Sequence, residues 1–312
     1  MKKGHFIISL DCEGKWGMAD KLAPHWKRDL TNDRLIDAYT RLVSLLARHG
    51  IKATFAFVGA FTMSAEEARE NPSWFSPHLV GGQDWLKQWR HDMERGNSEG
   101  WFVPELVEIV RSHGVHELGT HGFRHIPLDE RTVSEDVFVQ EIEHSRIVAG
   151  WRGYTISTLI YPRNRIGHAG RLRTLGLVGY RDALAGPSKG LARQIGSLAA
   201  EINVFTSPQP DARPVAGIVP IPAGHFLNWR FGARRYVPAS VTIRRWRHML
   251  DEAGERGGVV HLWSHPHNFI NGDRMYEMFD AILETAAESV RGGRLENVTQ
   301  HEYSTHALRN QH

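Results

Sequence analysis

Short apolar runs alternate with stretches of helical periodicity along most of this chain. The first apolar run, at residues 6–10, is followed by apolar side chains that recur at helical spacing from Leu35 to Leu46, and then by a second apolar run at 53–58. Further strands are predicted at 115–119, 155–161, 177–180, 218–222 and 259–263, and further helices at 104–113, 133–148, around Leu172, at 239–253 and after Asn271. This alternation is typical of parallel β/α units and predicts an α/β fold.

Capping and breaking residues mark several boundaries of these elements. Thr31 or Asn32 can cap the first long helix, and Gly50 is expected to end it. Asn271 is expected to cap the amphipathic helix that follows it. Prolines interrupt the strand at 218–222, which predicts a short strand or one at a sheet edge.

The segment from about residue 61 to residue 102 departs from the alternation. It holds prolines, a Gly-Gly pair and four tryptophans. Long irregular segments inside a compact domain are usually functional, so this insertion either lines a substrate groove or only packs against the rest of the fold. The sequence shows no internal repeat, low-complexity tract or linker, and residues 1–312 are therefore expected to form a single domain.

The composition is that of an ordinary globular protein. The 312 residues include 38 lysines and arginines against 35 aspartates and glutamates, and a net charge of only +3 gives no reason to expect nucleic-acid binding. A single cysteine, Cys12, excludes an internal disulfide framework and fits a reducing compartment. No apolar run approaches the ~20 residues that span a bilayer, and the N-terminus lacks the pattern of a signal peptide. We therefore expect a cytoplasmic protein.

Pairs of polar side chains follow the predicted strands at four places. These pairs are Asp11 with Glu13, His121 with His125, Arg163 with Asn164, and His265 with His267. The carboxyl ends of the strands are where β/α barrels carry their chemistry. The four pairs therefore predict one barrel with one active site, built from segments that lie far apart along the chain.

His121 and His125 are the strongest candidates for binding a metal ion. Their spacing of four residues would place both rings on one side of a helical turn, where they can bind one ion. Glu13 is the expected third ligand, since it lies further past the strand end than Asp11 and has the longer side chain. Two imidazoles and one carboxylate leave a coordination position for water, which favours a hydrolytic site. His116 and His121 are one residue too far apart for a zincin motif.

The other polar residues suggest the parts of a hydrolytic mechanism. Asp11 is the expected general base, and a nearby Arg163 would orient it and lower its pKa. Asn164, or a backbone N–H beside it, would stabilise a developing oxyanion. His265 would protonate the leaving nitrogen, while His261 on the same strand is expected to be a polar residue of the core.

Four motifs, at residues 9–13, 117–125, 161–164 and 262–266, span nearly the whole chain. Together and in this order they resemble the NodB-homology polysaccharide deacetylases, carbohydrate esterase family four. The resemblance implies a deformed (β/α) barrel of about seven strands. It also implies hydrolytic removal of an acyl group from an amino sugar with a divalent metal, commonly Zn²⁺, with Co²⁺, Ni²⁺ or Mn²⁺ as alternatives. Carried over by motif, it assigns the base to Asp11, the metal ligands to Glu13, His121 and His125, the brace of the base to Arg163, and the acid to His265.

Two motifs depart from the family's common pattern. Cys12 separates Asp11 from Glu13 where the family usually has adjacent aspartates, and Arg163 lies in Pro-Arg-Asn instead of Arg-x-Pro. The first change resembles an Asp-x-Asp/Glu branch that includes intracellular members and deformylases of lipid-linked amino sugars. It implies a cytosolic precursor of a surface polysaccharide or lipopolysaccharide as substrate, with an acetyl or a formyl group removed. Cys12 is expected to fill space in the barrel wall, with a thiolate ligand as the alternative.

Two other classes of function share some of these features. Two histidines and a carboxylate also form the facial triad of iron oxygenases, although those sites usually occupy all-β barrels. A non-catalytic module could retain the barrel, the metal and carbohydrate binding. The intact candidates for base and acid, Asp11 and His265, favour the hydrolase. The expected partner is a carbohydrate, and assembly into a homo-oligomer stays open.

Overall fold

The structure, a computed structural model, describes residues 3–184, 201–230 and 232–310. Its strands are β1 (Gly4–Cys12), β2 (Thr54–Phe57), β3 (Leu79–Val80), β4 (Gln83–Asp84), β5 (Glu117–Thr120), β6 (Thr158–Ile160), β7 (Gly179–Arg181), β8 (Val219–Ile221), β9 (His225–Phe226), β10 (Val259–Ser264) and β11 (Leu295–Asn297). Nine of these described strands form one sheet in the order β8-β7-β6-β5-β2-β1-β10-β9, with β11 paired to β1. All their pairings are parallel, whereas β3 and β4 form a separate antiparallel hairpin.

Helices pack against the sheet and enclose the apolar core. The described α-helices are α1 (Pro24–Asp29), α2 (Asn32–His49), α3 (Ala65–Glu70), α4 (Lys87–Glu94), α5 (Glu105–Arg111), α6 (Glu135–Trp151), α7 (Ala239–Arg256), α8 (Asp273–Arg291) and α9 (Gln300–Arg309). Leu42 of α2, Trp246 of α7 and Phe279 of α8 belong to the same buried cluster as the strands. Among the described helices, none combines the length and the apolar character needed to cross a membrane.

The central strand β1 sorts its side chains by alternation. Ile8, Leu10 and Cys12 face the core that the helices cover. The Cys12 thiol is fully buried there and donates to the Leu10 carbonyl at 3.3 Å. Burial raises the pKa of this thiol well above its usual value, so the side chain stays a neutral filler. The expectation for Cys12 is confirmed, and it is not among the converging metal-binding groups of the described residues.

The opposite face of β1 lies inside a curled sheet. Ile7 packs with Val219 and Ile221 of β8, at the far end of the sheet order. Arg181 of β7 likewise reaches Asp11 of β1, although β6, β5 and β2 lie between the two strands. Such contacts require the sheet to curl into a partial barrel, so the predicted α/β class and deformed barrel are confirmed. The sheet has nine strands instead of about seven because β9 and β11, at two and three residues, are too short for the hydrophobic pattern to reveal.

Two predicted boundaries agree with the structure. The Thr31 side chain caps α2 by accepting from the Arg34 N–H, and Gly50, with φ of 65°, ends the helix. The Pro-interrupted strand β8 is three residues long and lies at an end of the sheet order, as expected.

Two other predicted elements were wrong. The segment around Leu172 forms a 3-10 turn at Ala169–Arg171 followed by one hydrogen-bonded turn, which Gly176, with φ of 73°, ends. Asn271 does not cap α8, because Gly272, with φ of 124°, occupies the N-cap position. In the weakly patterned segment 186–214, residues 186–200 lie outside the described residues.

The insertion at 61–102 contains short regular elements, namely α3, α4 and the β3–β4 hairpin. Its tryptophans pack on Trp16, which belongs to the loop after β1. The Trp16 ring stacks on Trp89 with centroids 6.0 Å apart and meets Trp101 edge to face at 5.2 Å. Trp16 Nε1 also donates to the Trp101 carbonyl. For these two tryptophans the structure favours packing over the lining of a groove.

The burial of α2 predicts different outcomes for two chemically identical substitutions. Leu42→Ala removes a fully buried side chain and should lower the free energy of unfolding by about 2–5 kcal/mol. Leu79→Ala, where the side chain is 65% exposed, should change it by less than about 0.5 kcal/mol. Urea unfolding followed by circular dichroism measures both values. Equal losses in the two variants would contradict the placement of α2 against the core.

Candidate metal and active site

Two acids at the end of β1 point to the same side of the strand, because successive side chains alternate. Both Asp11 and Glu13 are buried. Glu13 precedes a 3-10 turn at Gly14–Met18, and Gly17 in that turn leaves room for its carboxylate. A Cβ atom on Gly17 would lie 2.1 Å from Glu13 Oε1. Any side chain at position 17 would therefore displace the candidate ligand.

His121 and His125 meet through a tight loop after β5, not through a helical turn. Gly122, with φ of 75°, and His125, with φ of 56°, both have left-handed backbone conformations. The helical geometry predicted between the histidines is therefore wrong, yet their ring centroids lie only 4.8 Å apart. His121 Nδ1–H donates to the Ile160 carbonyl at 2.7 Å, which leaves Nε2 facing Glu13.

The three predicted metal ligands converge on one point. Glu13 Oε2 lies 2.9 Å from His125 Nε2 and 3.4 Å from His121 Nε2, and the ligand atoms of the three residues all lie within 4.8 Å of one another. Burial raises the pKa of Glu13, but the imidazoles of His265, His125 and His121 outweigh it and hold the pKa well below its usual 4.5. Burial lowers the pKa of His125 to about 4. An ionised carboxylate and a neutral imidazole are the forms that bind a metal.

The charge balance at Glu13 also suits a cation. Among the described residues, the basic groups within ion-pair distance of its carboxylate are the imidazoles of His121, His125 and His265, with no lysine or arginine. A buried carboxylate without a permanent counter-charge is unfavourable. A divalent cation would supply that charge, and Zn²⁺ and related metals accept this set of nitrogen and oxygen ligands.

Asp11 is paired with Arg181 of β7, not with Arg163. Arg181 Nη1 and Nη2 donate to the two carboxylate oxygens of Asp11 at 2.7 and 2.8 Å. Burial raises the pKa of Asp11, but the charge of Arg181 and its hydrogen bonds outweigh it, so the pKa lies below its usual 3.8. Arg163 instead donates to Asp20 at 2.7 Å. The predicted contact between Arg163 and Asp11 is therefore wrong.

Asn164, next to Arg163 in the chain, does turn towards the acids. Its Oδ1 atom accepts from Arg181 Nη2 at 3.0 Å. Arg163 and Asn164 both have positive φ, 58° and 52°, and this reversal of the backbone sends the two side chains in different directions. Asn164 is exposed, and with its amide oxygen occupied it has its NH₂ group left to offer a substrate.

Ser9 and His261 fix Arg181 from the interior of the barrel. His261 Nδ1–H donates to the Pro222 carbonyl at 2.6 Å, so its Nε2 accepts from the Ser9 hydroxyl at 2.9 Å. Ser9 Oγ accepts in turn from Arg181 Nη1 at 3.2 Å. Burial, with a smaller effect from Arg181, lowers the pKa of His261 to about 3 and keeps the ring neutral. His261 is thus a buried polar residue, as predicted, and it supports the partner of Asp11.

Arg181 is the site residue that sequence analysis missed. It directly follows the predicted strand 177–180, which is the same position that identified the four polar pairs. The signal was therefore present, but a single arginine after a weak strand does not stand out beside paired histidines and acids.

His265 lies on the accessible side of the site, with His267 behind it. His265 Nε2 is 3.5 Å from Glu13 Oε1 and 3.9 Å from Asp11 Oδ2, and the side chain is 22% exposed. His267 is buried, with its ring centroid 5.1 Å from that of His265. Burial lowers the pKa of His267 to about 3. Of the two histidines, His265 is the one that a substrate can reach.

Comparison with known families finds a similarity over part of the chain. Residues 30–172 match the family model of the polysaccharide deacetylases. The matched segment includes His121, His125, Arg163 and Asn164 and ends before Arg181. This segment of the chain is therefore similar to the polysaccharide deacetylase family, in agreement with the resemblance of the motifs at 117–125 and 161–164 that lie within it. A comparison with curated proteins found no match.

Solved structures share the fold at low sequence identity. A candidate polysaccharide deacetylase from Mycobacterium smegmatis superposes with a TM-score of 0.61 at 14% identity, over 99% of this chain and 91% of that one. A second, from Pseudomonas aeruginosa PAO1, gives 0.54 at 14% identity over 98% and 91%. A 4-alpha-glucanotransferase from Thermococcus litoralis gives 0.53 at 14% identity over 98% of this chain and 40% of that one. Likeness at these identities establishes the fold, and function has to be argued from the site.

The convergence of Glu13, His121 and His125 predicts one bound divalent ion per chain. After treatment with a chelator, Zn²⁺ or Co²⁺ should rebind with one equivalent in isothermal titration calorimetry. His125→Ala should bind more than about 100-fold more weakly, because losing a ligand costs more than the 10–100-fold typical of outer contacts. His113→Ala, at an exposed position, is the control and should bind as the wild type does. Unchanged affinity in His125→Ala would exclude this site.

Proposed function

We propose that this protein is a metal-dependent hydrolase that removes an N-acyl group, acetyl or formyl, from an amino sugar. The observation that carries the proposal is the meeting of Glu13, His121 and His125 within 4.8 Å, beside a second carboxylate and a third imidazole. Asp11 Oδ2 lies 3.9 Å from His265 Nε2, so a candidate base and a candidate acid border the same small space. The similarity of residues 30–172 to the polysaccharide deacetylase family supports the same class of reaction.

A divalent ion held by Glu13, His121 and His125 would supply a water of lowered pKa and polarise the acyl carbonyl. Asp11, kept ionised by Arg181, takes a proton from the attacking water as the new C–O bond forms. His265 gives a proton to the sugar nitrogen as the C–N bond breaks. The products are a carboxylic acid and a free amine, so atoms and charges balance.

The side chains around these two groups have supporting roles in the proposal. Arg181 is a positioning residue, because its paired contacts hold the Asp11 carboxylate in one orientation. The NH₂ group of Asn164 is the donor available for the negative charge that develops on the acyl oxygen. Arg163, whose guanidinium lies over the Trp85 ring and pairs with Asp20, is placed at the rim of the site.

The finer parts of the proposal concern the metal, the substrate and the compartment. Zn²⁺ is the first choice of metal, and Co²⁺, Ni²⁺ or Mn²⁺ would accept the same ligands. The proposed substrate is a cytoplasmic amino-sugar precursor of a surface polysaccharide. The reduced, buried Cys12 is compatible with that compartment.

Asp11→Asn tests the reaction and separates it from its rivals. The variant should keep its metal but lose about 10²–10⁴-fold in kcat, because the amide cannot take the proton. The measurement is release of acetate or formate from a panel of N-acetyl and N-formyl amino sugars, in the presence and absence of oxygen. Turnover that requires oxygen would indicate an iron oxygenase, and carbohydrate binding without acyl release would indicate a binding module. Near-normal turnover by Asp11→Asn would refute the assignment of the base.

Two arginine substitutions test which residue positions Asp11. Arg181→Lys keeps the charge but loses the paired hydrogen bonds, so kcat should fall by about 10–100-fold with little change in KM. Arg163→Lys should change kcat by less than about threefold, since the Arg163 guanidinium donates to Asp20 rather than to Asp11. Metal content, measured on both variants, should equal that of the wild type. A larger loss of kcat in Arg163→Lys than in Arg181→Lys would restore the prediction that Arg163 orients Asp11.

A further inference from the structure

A cavity of about 300 Å³ lies between residues 229–236 and residues 271–275. Its lining includes Arg230, Arg235, Arg274, Trp229 and Tyr236. The volume is at the lower end of sites for small molecules, which run from about 300 to 1,000 Å³. We call this cavity the arginine pocket.

The arginine pocket has more basic than acidic side chains in its lining, three arginines against Asp273. None of its three arginines forms an ion pair with a carboxylate of the described residues. Asp273 also lines the pocket, but its Oδ1 atom is paired with Arg41 Nη2 at 2.7 Å. Three guanidinium groups around one small cavity favour an anionic ligand with several oxygen acceptors.

Two of the three arginine side chains, Arg230 and Arg235, are also partly fixed in place. Arg230 donates from Nη1 to the Val237 carbonyl at 2.8 Å and from Nη2 to the Arg235 carbonyl at 2.9 Å. Arg235 Nη2 donates to the Tyr236 hydroxyl at 2.8 Å. Guanidinium groups held this way lose less conformational entropy when they bind an anion.

A row of rings connects the arginine pocket to the candidate acid. Trp229 stacks on Trp26 with centroids 5.5 Å apart, and Trp26 meets His267 edge to face at 5.2 Å. His267 lies 5.1 Å from His265. A ligand that reaches from His265 to the pocket must therefore extend beyond one sugar ring.

We propose that the arginine pocket binds a phosphate or diphosphate group attached to the amino sugar. This inference rests on the proposed function, and it defines the substrate as an activated, phosphate-linked sugar rather than a neutral polysaccharide. Trp229 and Tyr236 provide aromatic surfaces on which the group beyond the phosphates can pack. That group is a nucleoside or a polyprenyl chain, and the phosphate chemistry is common to both.

Binding without turnover is the first test. Metal-loaded Asp11→Asn protein is titrated with inorganic pyrophosphate and with uridine diphosphate. The same titrations are made with a second protein that carries Arg235→Gln and Arg274→Gln in addition to Asp11→Asn. The double substitution should weaken binding by at least about tenfold, because two guanidinium contacts are lost. Arg69→Gln, at an exposed position on α3, is the matched control and should bind unchanged. Equal affinity in the double variant and the control would overturn the proposal, since the anion would then bind elsewhere, for example at the metal.

Turnover separates this inference from the proposed function. In enzyme with Asp11 intact, Arg235→Gln/Arg274→Gln should raise KM at least about tenfold for a diphosphate-linked N-acetyl amino sugar and leave kcat/KM for the neutral sugar within twofold. If the neutral sugar is hydrolysed but KM for the diphosphate-linked sugar does not rise, the arginine pocket is refuted and the proposed deacylase activity remains supported. If no sugar releases its acyl group but the double substitution still weakens pyrophosphate binding, the proposed deacylase activity is refuted and the arginine pocket remains supported. Stronger inhibition of acyl release by uridine diphosphate than by pyrophosphate identifies a nucleoside carrier, whereas equal inhibition shows that the nucleoside adds no binding and leaves the lipid carrier as the alternative.

Discussion

Two carboxylates buried side by side at the end of one strand are the constraint on which the site depends. Like charges this close cannot both stay ionised in a dry interior unless each has its own positive partner. Asp11 has that partner in Arg181, which crosses the inside of the curled sheet to reach it. Glu13 has imidazoles around it, and burial keeps at least His125 neutral. The division of roles follows from this difference: the carboxylate with a permanent cation is free to act as a base, and the one without is suited to hold a metal.

The curvature of the sheet is what makes that division possible. Arg181 and Asp11 belong to strands separated by three others in the sheet order, so a flat sheet would hold them far apart. The apolar cluster around Ile7 fills the barrel on the inner face of β1, and the Ser9–His261–Arg181 hydrogen bonds lie beyond it along the same strand. The successive inward residues of β1 therefore lie in three different surroundings. Ile7 belongs to the apolar core, Ser9 to the buried hydrogen bonds, and Asp11 to the candidate active site.

Sequence patterns predicted the residues of the site better than their geometry. Alternating strands and helices predicted the barrel, and the polar pairs after the strands predicted the converging ligands, because both depend on periodicity. The histidine pair was expected on a helical turn, but left-handed conformations at Gly122 and His125 bring the rings together by another path. Arg163 was expected beside Asp11, but positive φ at Arg163 and Asn164 turns the longer side chain outward. Local backbone reversals of this kind leave no mark on the hydrophobic pattern.

The position of the candidate acid also sets the direction in which a substrate must lie. A general acid in amide hydrolysis protonates the nitrogen that leaves, and in the proposed reaction that nitrogen belongs to the sugar. The sugar ring must therefore lie on the His265 side of the site, and the acyl group towards the three ligands. Trp26 contacts His267 and Trp229 contacts Trp26, and Trp229 in turn lines the arginine pocket. The orientation that the chemistry requires thus places the rest of the sugar, and whatever is linked to it, on the side of His265, from which contacting rings lead to the three arginines of the pocket.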